Sequence, residues 1–199
     1  MANTNRPTGL SPVKTLIGAT WSGQANIYSI AAAYGTDLYI GDPVISSGTA
    51  DTNGVAGIAL AAATGPIRGV IVGLGKFEGG IFNPDNLNIT YRPASDPAVW
   101  YAMVVDDPNA IFEVQENANG TQLAATEVGL NQVLKLGTGN GYTSGWQLAS
   151  VSDATPNTTS TLQVRLLGLS RKADNAFGAY AKWLVKINAH ELSAGTAGL

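Results

Sequence analysis

The chain has 199 residues, of which 45% are hydrophobic and only 13% charged, with a formal net charge of −3 and no cysteine. That length can bury a core without staples, and the missing cysteines exclude disulfides, thiolate metal sites and cysteine nucleophiles. The 11 lysines and arginines are scattered along the chain, which argues against direct nucleic-acid binding through a clustered basic face. No apolar run approaches the ~20 residues that span a bilayer, so no membrane partner is expected. The charged share is about half the ~25% of an average soluble domain. Much of the surface must therefore consist of small neutral residues, and cover by partner molecules is one explanation. The opening Met1 to Leu10 lacks the apolar core of a signal peptide, and the expectation is a protein made and kept in the cytoplasm.

From Met1 to about Ala25, Pro7, Gly9, Pro12, Gly18 and Gly23 break every period. Leu10, Val13, Leu16, Ile17 and Trp21 nevertheless make the stretch too apolar for a free tail. It reads as an extended arm that docks on its own body or on a neighbouring subunit, with Pro7, Leu10, Pro12, Leu16, Ile17 and Trp21 as the candidate interface residues. Strands follow at Ile27 to Ile30 and Asp37 to Ile45. In the second, Leu38, Ile40 and Val44 share a face by two-residue spacing, and Gly41-Asp42-Pro43 bends the chain. Asn53-Gly54 marks a turn, Val55 to Leu60 a weak strand and Ile67 to Leu74 a firm one. Short strands at this spacing predict a small closed or nearly closed barrel. Lys76 to Asn88 reads as loop, with a turn at Asn83-Pro84-Asp85-Asn86.

Tyr91 to Glu116 holds two strong β runs. Trp100 to Val105 is apolar enough to be covered on both faces. In Ile111 to Glu116, Phe112 and Val114 point inward while Glu113 and Gln115 face water. Asp106-Asp107-Pro108-Asn109 supplies turn chemistry between them, and the pair is expected to form a central hairpin. Leu123 to Asn131 is a short helix or an irregular crossing. The β pattern resumes at Val133 to Leu136, Trp146 to Ala149, Leu162 to Leu169 with Gln163 and Arg165 on the wet face, and Trp183 to Asn188 with Lys186 and Asn188 facing out. Loops 138–145 and 152–160 are expected to be mobile, and the tail from Ser193 frayed. The expected fold is all-β, a small barrel or sandwich of short antiparallel strands. It comprises an arm over 1–25 and a body over 26–199, with sub-barrels at about 26–118 and 119–199 as one option.

Chemistry is hard to place. Gly73-Leu74-Gly75-Lys76 lacks the spacing of a phosphate loop, puts Phe77 where a hydroxyl should bind magnesium, and opens no helix. There is no Gly-x-Ser-x-Gly elbow, and His190 stands outside any paired motif. Asp106-Asp107 is explained by its turn, and no stretch alternates oxygen ligands as a calcium loop does. Trp21, Trp100, Trp146 and Trp183 read as core or interface residues. No catalytic, cofactor-binding or metal-binding residue is assigned.

Several stretches together resemble a tailed-bacteriophage virion protein of the capsid decoration or cement type. They are Met1 to Thr15, Leu38 to Val44, Ile67 to Gly73, Tyr91-Arg92-Pro93-Ala94, Asp106-Asp107-Pro108 with Phe112 to Glu116, and Lys182 to Leu192. The resemblance implies a β-rich, non-enzymatic protein that forms a homo-oligomer, dimer or trimer. It would sit on the capsid exterior, bind the major capsid protein across subunit joints and stabilise the head, with no nucleic acid, membrane or cofactor involved. The alternatives are another virion role, head-to-tail connector or tail component, and a carbohydrate-binding β-domain.

Overall fold

The computed structural model describes residues 3–78, 81–82, 89–137 and 141–194. Apart from one 3-10 turn at Ala125–Glu127, its regular elements are strands. In chain order these are β1 (Ser11–Thr15), β2 (Asn26–Ile30), β3 (Leu38–Tyr39), β4 (Pro43–Ala50), β5 (Ala56–Leu60), β6 (Gly69–Glu78), β7 (Ile81–Phe82), β8 (Tyr91–Arg92), β9 (Trp100–Val105), β10 (Ala110–Gln115), β11 (Asn131–Gln132), β12 (Leu134–Leu136), β13 (Trp146–Leu148), β14 (Val164–Leu169) and β15 (Lys182–Ile187). The fold is all-β, as the composition of these runs predicts.

Two large sheets dominate the protein, with the two-stranded pairs β3-β8 and β12-β13 beside them. The first is ordered β4-β5-β2-β9-β6, and β6 pairs back onto β4, so the five strands close into a barrel. Closure removes the exposed edges that an open sheet of this size would present. Alternate residues fill its interior: Tyr28 and Ile30 from β2, Val44 from β4, Ile58 from β5, Ile71 and Leu74 from β6, and Trp100, Ala102 and Val104 from β9. The second is ordered β1-β10-β15-β14-β11. Its inner face carries Phe112, Val114, Val164, Leu166, Trp183, Val185 and Ile187, and these pack with Ile67, Val70 and Val105 on the outer wall of the barrel. β9 is thus buried on both sides, which is what its unbroken apolar run requires.

The expected hairpin is not formed. β9 pairs with β2 and β6, whereas β10 pairs with β1 and β15. Asp106 to Asn109 is a corner that carries the chain out of the barrel into the second sheet. Turn chemistry is the same for a hairpin and a corner, and here both edges of β9 are already taken by barrel partners. A boundary near residue 118 does not appear either, since β10 and β15 are neighbours in one sheet and Leu10, Val70 and Val105 share one core with Trp183.

The arm is part of the body from its first described residues. β1 is a strand of the second sheet, Leu10 is 1% exposed, and its N–H donates to Gly41 O at 2.9 Å. Gly9 makes this crossing possible: it has φ +69, and a Cβ there would lie 2.2 Å from Gly41 O.

Several polar residues expected in water are buried instead. Gln115 accepts Arg6 N–H at 2.7 Å and donates to Asn5 Oδ1 at 2.9 Å, because the arm lies over it. Gln163 accepts Leu134 N–H and donates to Ala62 O, and Asn188 donates to the carbonyls of Ser160 and Leu162. Each amide serves backbone groups that lie outside the two large sheets, a role that alternation cannot reveal. Ile40, expected with Leu38 and Val44 on one face, is 38% exposed while those two are fully buried, because β3 ends at Tyr39 and Ile40 stands in a turn closed by Asp42 N–H on Tyr39 O at 3.1 Å. The loop at 138–145 lies partly outside the described residues, as does the end of the tail. Ser144, within that loop, is fully buried, and Asp153, in the loop at 152–160, is held by four side chains.

Candidate interface: the arm tip and the polar clusters

After β1 the chain turns tightly. Gly18 N–H donates to Thr15 O at 2.9 Å, Thr15 N–H to Ala19 O at 2.9 Å and Trp21 N–H to Val13 O at 3.1 Å, so the segment doubles back along the outer edge of β1. Leu16 and Ile17 occupy the two central positions of the turn, places that Gly, Pro, Asn, Asp and Ser ordinarily fill. Leu16 is 49% and Ile17 90% exposed. The tip is nevertheless firmly mounted, because Leu16 N–H donates to Asn109 O at 3.0 Å and ties it to the β9–β10 corner. Behind it Trp21 packs against the second core and donates from Nε1 to Gln24 O at 3.0 Å. Next to β1, a groove of about 270 Å³ is lined by Pro12, Ile40, Val72 and Tyr142 among others.

The six candidate interface residues therefore separate. Leu10 belongs to the chain's own core and cannot also serve a partner without unfolding the crossing. Pro7, Pro12 and Trp21 are half-buried against the body, and Pro7 O accepts the Thr143 hydroxyl. Only Leu16 and Ile17 are presented outward.

The ionisable groups are mostly engaged inside the fold. At the open end of the barrel Asp106 accepts from Asn26 Nδ2 at 2.8 Å and from the Tyr28 hydroxyl, with Arg68 Nε at 3.7 Å. Arg68 also donates to the Tyr28 oxygen and lies over its ring, and it reaches Glu191, which accepts Ser46 N–H and Oγ. Asp106 is thus the centre of a clamp between the barrel and the C-terminal segment as well as a turn residue. Asp107 has the simpler role, accepting Asn109 N–H at 2.8 Å.

Three further carboxylates are unusual. Burial pushes Asp42 up to about 6, against hydrogen bonds from Ser144 and the Tyr39 N–H. Burial likewise pushes Glu116 up to about 7, against the Leu123 N–H and Trp183 Nε1–H. At Asp153 burial acts upward too, but hydrogen bonds from Lys135, Asn117 and Asn119 outweigh it and hold the carboxyl well below the usual range. Arg92, quoted above only as part of a motif, is fully buried, with Nη1 donating to the carbonyls of Tyr34 at 2.7 Å and Pro93 at 3.0 Å. His190 accepts Leu192 N–H at Nδ1 and is 4% exposed. Among the described residues no three His, Asp or Glu side chains converge as metal ligands would. Comparison with known proteins gave no match to any family, curated protein or solved structure.

Proposed function

We propose that this chain is a non-enzymatic virion structural protein of the tailed-phage decoration type, which sits on the capsid exterior as a homo-oligomer and binds across major capsid protein subunits. The observation that carries the reading is the arm tip. Two large aliphatic side chains stand at the centre of a tight turn that Leu16 N–H ties to Asn109 O, and an apolar knob of this kind gains about 1.5 to 3 kcal/mol per side chain when a partner pocket covers it. A rigid knob loses little conformational entropy on docking, so more of that gain survives as affinity. The low charged fraction of the chain, 13%, and the stretches that resemble decoration proteins support the same reading. Many modest contacts to a repeating shell then add through effective concentration.

The test is co-sedimentation with expanded capsids stripped of decoration. The wild-type chain is expected to pellet with them, and Ile17→Asp is expected to stay in the supernatant while keeping the wild-type circular dichroism. A wild-type chain that never pellets overturns the decoration reading; a variant that pellets equally well removes the tip from it. Closed rings of isolated protein that label one vertex would favour the connector role.

A further inference from the structure

Strand register gathers cations that are far apart in the sequence. Lys14 pairs with Ile111, Ile111 with Lys186, Lys186 with Arg165 and Arg165 with Asn131. Directly opposed residues in antiparallel sheet project from the same face. That face is the outer one, because Phe112, Val185 and Leu166, each one residue away, fill the core. Lys14, Lys186 and Arg165 therefore stand in one row across four strands, and Lys186 and Arg165 are immediate neighbours. Their proximity is felt, since burial first and Arg165 second push the Lys186 ammonium down, with Asp107 opposing. Like charges side by side on a sheet cost stability, and at Arg165 a hydrogen bond from Nε to Asn131 Oδ1 at 3.2 Å holds the side chain in place beside Lys186.

The same face continues to a second basic group. Lys172 reaches across it to Glu113 at 2.7 Å, and Lys182 and Arg6 line a recess of about 170 Å³ together with Asp174, Asn175 and Tyr180. Against these six cations the face sets Glu113, Asp107 and Asp174, which leaves eleven carboxylates and five cations for the remainder of the chain. A protein of net charge −3 thus gathers six of its 11 cations on and around one sheet face and leaves the remainder of the chain net acidic. The sequence impression that its cations are merely scattered does not survive folding.

We propose that the outer face of the β1-β10-β15-β14-β11 sheet is a docking surface for a protein partner that presents carboxylates in an extended segment. The row from Lys14 to Arg165 crosses three strand spacings, about 14 Å, and three alternate side chains of an extended chain cover about the same distance. Charge complementarity of this kind sets encounter rate and orientation. A nucleic-acid partner fits less well. The row is short, it is interrupted by the apolar Ile111 and flanked by Glu113, and the acidic remainder of the chain repels a long polyanion. The surface stands on its own geometry, whether or not the protein decorates a capsid.

The test is fluorescence anisotropy of fluorescein-labelled decaglutamate with the full chain in low salt. Saturable binding is expected, weakened about tenfold in the double variant Arg165→Gln, Lys186→Gln, since each partly buried cation lost removes a fraction of the attraction. Lys14→Gln, at the sheet edge, provides an independent reading with a smaller loss. Lys135→Gln, whose partner is Asp153, is expected to bind like wild type. Absence of saturable binding, or equal losses in Lys135→Gln and the row variants, overturns the proposal. Tighter binding of an oligothymidylate of equal charge overturns it in favour of a nucleic-acid surface.

Discussion

Glu116 offers a sharp check on the structure, because its cost depends on pH in a direction that few carboxylates share. The side chain has no exposed surface, and its two oxygens accept separately from Leu123 N–H at 2.7 Å and Trp183 Nε1–H at 3.0 Å. Burial raises its pKa from 4.5 to about 7 despite those bonds. The folded chain therefore holds this proton over a range in which the unfolded chain has released it. Stability from this group is full below about 4.5 and is lost as pH rises through about 7. At 1.36 kcal/mol per unit the gap amounts to about 3 kcal/mol. In Glu116→Gln the ionisation disappears, but the amide nitrogen must face one of the two N–H donors, at a cost of about 1 to 3 kcal/mol. The variant is expected to be the less stable protein at about pH 5, and to draw level with or overtake wild type at about pH 8. The relative change of about 3 kcal/mol corresponds to roughly 6 to 12 °C in Tm for a chain of this length. Asp42 titrates with the same sign, but it does so in both proteins and cancels in the difference. Thermal or urea unfolding of the pair across this range reads the effect directly. Parallel pH curves would show that Glu116 is solvated or partnered by a cation, contrary to the structure.

Two further contrasts test the arm and the corner. Leu10→Ala is expected to cost about 2 to 5 kcal/mol by opening a cavity in the shared core, whereas Ile17→Ser is expected to stay within about 0.5 kcal/mol; equal urea midpoints would mean that the arm is not seated as described. Asp106→Ala is expected to cost about 2 to 4 kcal/mol, because it strips partners from Tyr28, Asn26 and Arg68 at once, while Asp107→Ala loses one turn bond worth about 1 kcal/mol. Indistinguishable unfolding curves for the two variants would reduce Asp106 to a turn residue.

What the chain shows along its length is what repeats along its length. The unbroken apolar run Trp100 to Val105, the alternation of Trp183, Val185 and Ile187, and the turn at Asn53-Gly54 are local patterns, and each appears in the structure where it was expected. Partner choice is not local. Asp106 to Asn109 has the composition of a hairpin turn, yet β9 and β10 part company because β2 and β6 already saturate both edges of β9. Gln115, Gln163 and Asn188 fall on positions that alternation assigns to water, and they are buried because segments distant in sequence bring backbone groups that need a side-chain partner. Leu10 and Ile17 look alike in an irregular apolar stretch, and only the crossing at Gly9 and Gly41 decides that one is core and the other a knob. The basic row is the clearest case: Lys14, Arg165 and Lys186 carry no common signal in the sequence, and antiparallel register alone sets them side by side. Periodicity fixes which face a residue prefers within its own strand, whereas the identity of the neighbouring strand is settled by closure of the barrel and by burial of the second sheet against its wall.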